Sequence, residues 1–359
     1  MLKIGAIMKV KEAALVQQAK ELLRACLLQV PSLRMERESA TAGQEAAGAD
    51  FAISTDIQGV KQRLIVEIIT SGQPRVARYA INQLAQYRAQ MPDCYGIIFA
   101  PYISERTAEM CRKEGVGYLD LAGNCVLNFQ TVFIQKVGAP NPAPARRELR
   151  SLYSPKSTRV LRVLLASARQ DWRYQKLARE ANVSLGQVAN VLQGLRDREW
   201  LTDEGDGVRL SAPAELLAEW SSSYNFRKNL ATDYYSLDPP DKIEQTLGSV
   251  LNEQGIRYAL TGFSGAARVS PAVRYQRVMA FVEAMPEDAL AHLKLKPVDS
   301  GANVTLLTPY DEGIFYGSAT IGNLQVVHPI QLYLDLRNFK GRGEEAAETI
   351  LEEVIKPSW

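Results

Sequence analysis

Between Tyr174 and Leu210 the spacing of apolar residues changes twice, and this constrains the fold more than any other stretch of the chain. Tyr174, Leu177, Ala178 and Ala181 recur at i, i+3, i+4 and i+7, which puts one buried face on a helix of about two turns. Asn182-Val183-Ser184 reads as a turn. Ser184 is an N-cap, because its hydroxyl can accept from an orphan backbone N–H of the next helix. Leu185, Val188, Val191, Leu192 and Leu195 then repeat at helical spacing. Trp200-Leu201-Thr202 and Val208-Arg209-Leu210 read as two strands joined through Asp203-Glu204-Gly205-Asp206-Gly207, with two glycines available for positive φ.

Helix, turn, helix and hairpin in this order is the layout of a winged helix-turn-helix, whose second helix lies in the major groove of DNA. The polar face of that helix carries Gln187, Asn190, Gln193 and Arg196, all able to hydrogen-bond base edges or phosphates, with Ser184 at its start. From Arg146 to Arg179 there are ten basic residues (Arg146, Arg147, Arg150, Lys156, Arg159, Arg162, Arg169, Arg173, Lys176, Arg179) against two acidic ones, Glu148 and Asp171. That excess suits a phosphate footprint. Arg159, Arg162, Arg173 and Lys176 are expected to neutralise phosphates, while Gln187, Asn190 and Arg196 read or position bases. A helical hairpin that only builds core would share the apolar spacing, but neither the added hairpin nor the basic run. Asp203, Glu204 and Asp206 at the wing tip would repel a phosphate backbone, so the close contacts are expected from the helix. The expected partner is double-stranded DNA. Two-fold dimers commonly accompany the motif, although no dimer seam is evident.

At 359 residues the chain is long enough for two or three domains, with the 46% apolar and 23% charged content of an ordinary globular protein. Its formal charge of +2 means that affinity for nucleic acid must come from a concentrated patch. Cys26, Cys94, Cys111 and Cys125 show no CxxC spacing, and His292 and His328 are far apart and take no assigned role, so neither a zinc site nor a disulfide framework is expected. Met1 to Val30 lacks the apolar run of a signal peptide and no later stretch has the length of a membrane span, which predicts a cytoplasmic protein with no membrane partner.

Gly138, Pro140, Pro142 and Pro144 mark the clearest boundary. A weaker one falls at Ser211-Ala212-Pro213. The expected organisation is a first domain over 1–137, a basic, Pro-rich linker over 138–151, the winged helix over 152–212 and a C-terminal α/β domain over 213–359. The whole reads as a multi-domain α/β (α+β) protein. In the first domain the pattern predicts a helix at Lys11 to Val30, strands at Phe51 to Ile57 and Gln62 to Thr70, and a helix at Pro74 to Gln90. A strand at Tyr95 to Ala100, a helix at Ser104 to Glu114 and strands at Gly117 to Leu121 and Val126 to Ile134 complete it. Such alternation predicts a mixed sheet covered by helices.

Within this domain Asp50 at the start of one strand and Glu67 on the next can point to one metal, and Gln83 and Tyr87 sit one turn apart on one face of a helix. The set resembles the restriction-endonuclease-like PD-(D/E)XK family, particularly its RecB-type branch. That resemblance implies two acidic residues binding magnesium and a lysine two positions after the second. Ile69 stands where that lysine would be, and an apolar side chain cannot orient water or stabilise charge at phosphorus. The domain therefore reads as nuclease-derived and inactive, with no cofactor and no catalytic residue expected. The alternative is a magnesium-dependent DNA nuclease guided by the winged helix, working through Asp50 and Glu67, with Lys61 or Arg75 reaching the site from a neighbouring element.

In the last domain Tyr258-Ala259-Leu260-Thr261-Gly262 enters a turn and a helix from Ser264 toward Val269, with a strand after it at Val278 to Val282. This resembles the opening of nucleotidyltransferase domains, but the strand lacks the two alternating carboxylates that would hold magnesium. Gly341-Arg342-Gly343 before the helix Glu344 to Val354 reads as a plain helix start.

The whole length also resembles a group of bacterial antitoxins of abortive-infection, type IV toxin–antitoxin systems, the AbiEi-like family. The resemblance is carried by Gly72-Gln73-Pro74-Arg75 with Asn82-Gln83-Leu84, Gly117-Tyr118-Leu119-Asp120-Leu121-Ala122-Gly123-Asn124, Ser184-Leu185-Gly186-Gln187-Val188 and Glu199-Trp200. Two late segments add to it, Gln331 to Leu336 and Gly341-Arg342-Gly343-Glu344-Glu345-Ala346-Ala347. It implies a winged helix that represses the protein's own operon and a partner toxin that is a nucleotidyltransferase. In that family the winged helix is N-terminal; here a nuclease-like domain precedes it.

Overall fold

The computed structural model describes residues 2–39, 49–139, 152–205, 207–270 and 275–359. Most of the expected linker, with Arg146, Arg147 and Arg150, and Asp206 of the wing tip lie outside the described residues. The chain divides into two compact units: 1–144 with 196–199, and 145–195 with 200–359.

The first unit is built on a seven-stranded sheet in sequential order, β1 (Leu33–Ser39), β2 (Phe51–Ile57), β3 (Val60–Ile68), β4 (Cys94–Ala100), β5 (Gly117–Asp120), β6 (Cys125–Phe129) and β7 (Val132–Lys136). The long helix α1 (Leu2–Leu27) precedes it, α2 (Pro74–Gln90) links β3 to β4 and α3 (Glu105–Lys113) links β4 to β5. Because β3, β4 and β5 run parallel, each link must cross over the sheet, and a helix is the usual way to do so. Residues of α2 and α3 bury Ala77, Ile81, Leu84 and Cys111 on one face of the sheet, and Leu23 and Leu27 of α1 join Phe51, Leu64 and Phe99 on the other. Both faces are thus dry, which explains the nearly continuous apolar runs of β3 and β4.

Two expectations change here. Val126 to Ile134 is a tight hairpin, with Gln130 at φ +49 between β6 and β7. An additional strand, β1, pairs with β2 through the polar sequence Leu-Arg-Met-Glu-Arg-Glu-Ser. Gly72, ahead of α2, has a definite reason to be glycine: a Cβ there would lie 1.9 Å from the Tyr102 carbonyl oxygen.

The second unit opens with the helices α4 (Pro155–Ala166), α5 (Tyr174–Glu180) and α6 (Leu185–Asp197), then the hairpin β8 (Leu201–Glu204) and β9 (Gly207–Leu210). Trp172 and Val208 exchange backbone hydrogen bonds of 2.8 and 3.0 Å, adding a third short segment to the hairpin. The chain continues through α7 (Pro213–Ser223), β10 (Leu230–Tyr235), α8 (Pro240–Glu253), β11 (Tyr258–Leu260), α9 (Gly262–Val269), β12 (Val278–Val282) and α10 (Glu287–Leu293). It ends with β13 (Lys296–Pro297), β14 (Val304–Thr308), β15 (Ala319–Ile321), β16 (Leu324–Val326), α11 (Pro329–Leu336) and α12 (Arg342–Ile350). The strands form a mixed sheet in the order β13-β10-β14-β12-β11-β16-β15. Every residue of β12 is buried, so its five apolar side chains serve as core on both faces of the sheet. Gly343 in the late glycine pair lets α12 approach the end of α11, since a Cβ would meet Phe339 Cβ at 2.5 Å and the Leu336 oxygen at 2.6 Å. Glu344 accepts from the Gly341 N–H at 3.4 Å, which puts a carboxylate where an anion would otherwise bind.

One apolar core runs without a break from Leu152 to Ile355, joining the three-helix segment to the late sheet. The boundary expected at 212 is therefore a connection inside one compact unit. The structure as a whole is mixed α/β with several sheets. Among the described residues no helix is long and apolar enough to cross a membrane.

Candidate nucleic-acid interface and a buried carboxylate pair

The turn between α5 and α6 is set by Asn182, whose φ of +50 is a conformation that asparagine tolerates better than most residues. Val183 N–H returns to the Ala178 carbonyl at 3.0 Å, and Ser184 Oγ accepts from Gln187 N–H at 3.2 Å, the cap expected from the sequence. Val188, Val191, Leu192 and Leu195 are buried, which turns the opposite face of α6 outward. Asn190 and Gln193 are exposed on that face; Gln187 and Arg196 are half-buried. The Gln187 amide donates to Ser157 Oγ at 2.8 Å, so it is anchored to α4. At the start of α6 lies an open groove of about 930 Å³, lined by Lys156, Gln175, Arg179, Asn182, Ser184 and Gln187 among others. Arg173 and Lys176 are exposed on α5 and just before it, with Lys176 Nζ 5.2 Å from the Trp172 ring.

Two of the expected phosphate ligands are placed elsewhere. Arg162 is 4% exposed; its guanidinium lies 4.9 Å over the Trp220 ring and donates to Gln331 Oε1 and to the Thr158 carbonyl. Gln331 donates to Asp335 Oδ1 at 2.8 Å, Tyr224 donates to the same oxygen at 2.7 Å, and Thr261 donates to Oδ2 at 2.6 Å. Burial pushes the fully enclosed Asp335 carboxyl up to about 6, although these three donors and the Arg162 charge oppose the shift. His328, beside the same guanidinium, is pushed down to about 4, chiefly by burial. Arg159 is held by Asp311, at 2.9 Å from Nε and 2.8 Å from Nη2, and by Glu312 at 2.6 Å from Nη1. Arg169 donates to the Trp359 carbonyl at 2.6 Å. The basic run therefore overstates the positive surface. Lys156 and Arg179 belong to the basic run read from the sequence, whereas Gln175, which also lines the groove, was not singled out; the exposed face of the short helix α5 was the signal that could have found it.

In the first unit, the four residues singled out from the sequence come together. Asp50 Oδ2 accepts from Ile68 N–H at 2.6 Å, and Gln83 Nε2 donates to Glu67 Oε1 at 3.1 Å and to Tyr87 OH at 2.8 Å. Glu67 is 7% exposed. Its carboxyl is pushed up to about 7, first by burial and then by the neighbouring Asp50 charge, with the Tyr87 hydrogen bond opposing. Ile69 packs into the apolar core with Ala77 and Ile81. Asp50 and Glu67 thus stand together, while the position where the resemblance implies a lysine holds the buried Ile69. Among the described residues no group of three or more His, Cys, Asp or Glu could hold a metal ion, and nothing polar stands at Ile69 to act on a metal-bound water.

Residues 209–356 match the family described as transcriptional regulator, AbiEi antitoxin, type IV TA system. The match begins within β9 and covers the late sheet and its helices. No curated protein matches the chain. Among solved structures, EndoMS in its apo form aligns over 28% of this chain at 16% identity with a TM-score of 0.21. The aligned region spans only 45% of that chain, and at this TM-score the likeness carries no argument.

Two outcomes test these placements. Glu67 has a folded pKa above its unfolded value, so its contribution to stability is complete below about pH 4.5 and is lost as pH rises through about 7. Glu67→Gln keeps the acceptor for Gln83 without the charge. Its thermal midpoint is expected to match wild type near pH 5 and to exceed it increasingly toward pH 8, whereas a constant offset would contradict the burial account. Arg162→Ala is expected to lower unfolding free energy in urea by about 2–4 kcal/mol, through the lost ring contact and the unpaired Gln331 and Asp335 groups. A stable variant with weakened DNA binding would return Arg162 to the phosphate footprint.

Proposed function

We propose that this protein is a sequence-specific DNA-binding transcriptional regulator, with α6 entering the major groove and its Asn190 and Gln193 side chains meeting base edges. The observation that carries the reading is the coincidence of an exposed amide-bearing helix face with a basic groove at the start of that same helix. Lys156, Arg173, Lys176 and Arg179 take the phosphate contacts, Ser184 and Asn182 close the turn against the backbone, and Gln187 is held in place by Ser157. Arg196 sits half-buried at the far end of α6 and would touch only the margin of a site. The match of residues 209–356 to a family described as transcriptional regulators and antitoxins supports the same class. In this reading the protein acts with a toxin partner and represses the operon that encodes both. A two-fold dimer on a palindromic operator is the arrangement that suits this motif.

The first unit is, in this reading, a nuclease-derived domain that assists assembly or sensing, and the late sheet a nucleotidyltransferase-like domain without its metal ligands. Metal-dependent cleavage through Asp50 and Glu67 is disfavoured, because Ile69, at the position of the expected lysine, packs into the apolar core.

Duplexes selected from a random pool provide the test. With about four phosphates neutralised, log K against log salt is expected to fall with a slope of roughly −3 to −4. Asn190→Ala is expected to cost on the order of 1–3 kcal/mol of discrimination at one base position. A slope near zero removes the proposal, and uniform weakening on all sequences would restrict Asn190 to the backbone.

A further inference from the structure

The 3₁₀ turn Glu312–Phe315, which comes after β14, brings two carboxylates against the helix-turn-helix. Asp311 takes Arg159 through both Nε and Nη2, while Glu312 Oε1 accepts from Arg159 Nη1 at 2.6 Å and from Asn182 Nδ2 at 3.1 Å. Asn182 is the left-handed residue of the turn and lines the basic groove. Close by, Tyr316 donates to Glu180 at 2.9 Å, tying the end of α5 to the same loop.

Asp311, its side chain 7% exposed, engages the Arg159 guanidinium bidentately. Glu312, 49% exposed, reaches the same guanidinium and, at 4.0 Å, that of Arg257, so two carboxylates stand against the turn. The Asn182 amide, which lines the groove, and the Arg159 fork, joined to it through Glu312, are donors that phosphate oxygens select, because both present N–H groups to an anionic acceptor. Here carboxylates hold them.

We propose that the Asp311–Glu312 loop is a built-in competitor of phosphate: it occupies Arg159 and Asn182 in the free protein and lowers affinity for duplex until its carboxylates are displaced or neutralised. The inference rests on the DNA-binding reading and adds regulation of the same site. The loop belongs to the segment that matches the regulator family, so a ligand or protein that moves it changes the grip on DNA without touching α6.

Glu312→Gln tests the charge, since the amide oxygen can still accept from Asn182 and Arg159. The duplex selected with wild type is titrated at about 50 mM and about 500 mM salt, with the fold checked by circular dichroism. The variant is expected to bind roughly three- to tenfold tighter at low salt, with the advantage shrinking at high salt as the charge is screened. Asp311→Asn combined with Glu312→Gln releases Arg159 and is expected to steepen the salt slope by about 0.9, one added phosphate contact. Should the double variant fail to fold, the single variant decides. Equal or weaker binding by a folded Glu312→Gln protein overturns the inference while leaving the DNA-binding reading intact. If neither binds any duplex, the DNA-binding reading falls and this inference with it.

Discussion

Arg162 is the residue on which the second unit depends. A guanidinium in a protein interior needs acceptors, because its desolvation costs more than a neutral donor's. On α4 and 4% exposed, it has the Trp220 ring beneath it and the Gln331 oxygen in front of it, and through Gln331 it reaches the buried Asp335 with Tyr224 and Thr261, while its Nε finds no partner among the described residues. Trp220 sits on α7, Gln331 and Asp335 on α11, so this network spans the three-helix segment and the late sheet, whose apolar residues share a single interior. Polar networks of this kind add little net stability, but they select one packing arrangement over others of similar apolar area.

That joint interior gives the helix-turn-helix a fixed support. The core face of α6 is buried, its cap is closed by Ser184, and its turn is held from outside by Glu312 through Asn182. For the recognition role proposed for α6 such rigidity is an advantage, since side chains must reach base edges within a narrow tolerance and ordering them on contact weakens binding. The same core joins the turn to the segment that matches the regulator family.

Much of this was legible in the sequence, for physical reasons that can be named. The period of the apolar residues located α5, α6 and the hairpin to within a residue or two, and β2 and α2 at the residues observed. Asp50, Glu67, Gln83 and Tyr87 were grouped from strand adjacency and one helical turn; in the fold Gln83 bonds both Glu67 and Tyr87, and the Asp50 charge acts on Glu67. What failed was the use of charge. A lysine or arginine in a row of basic residues looks the same whether it faces solvent or a carboxylate 152 positions away in sequence, and Arg159 and Asp311 are such a pair. Long-range partners leave no local spacing to read. The hairpin at Gln130 was missed because positive φ there falls on a residue that gives no turn signal, and β1 because its residues are mostly polar.

Hydrogen exchange with and without the selected duplex bears most directly on the central claim that the face of α6 opening at Ser184 is the one that meets DNA. Slowed exchange on binding is expected in peptides covering 174–193, through the start of α6 and the short helix before it. Slowed exchange confined to the first unit, with the 174–193 peptides unchanged, would contradict the account.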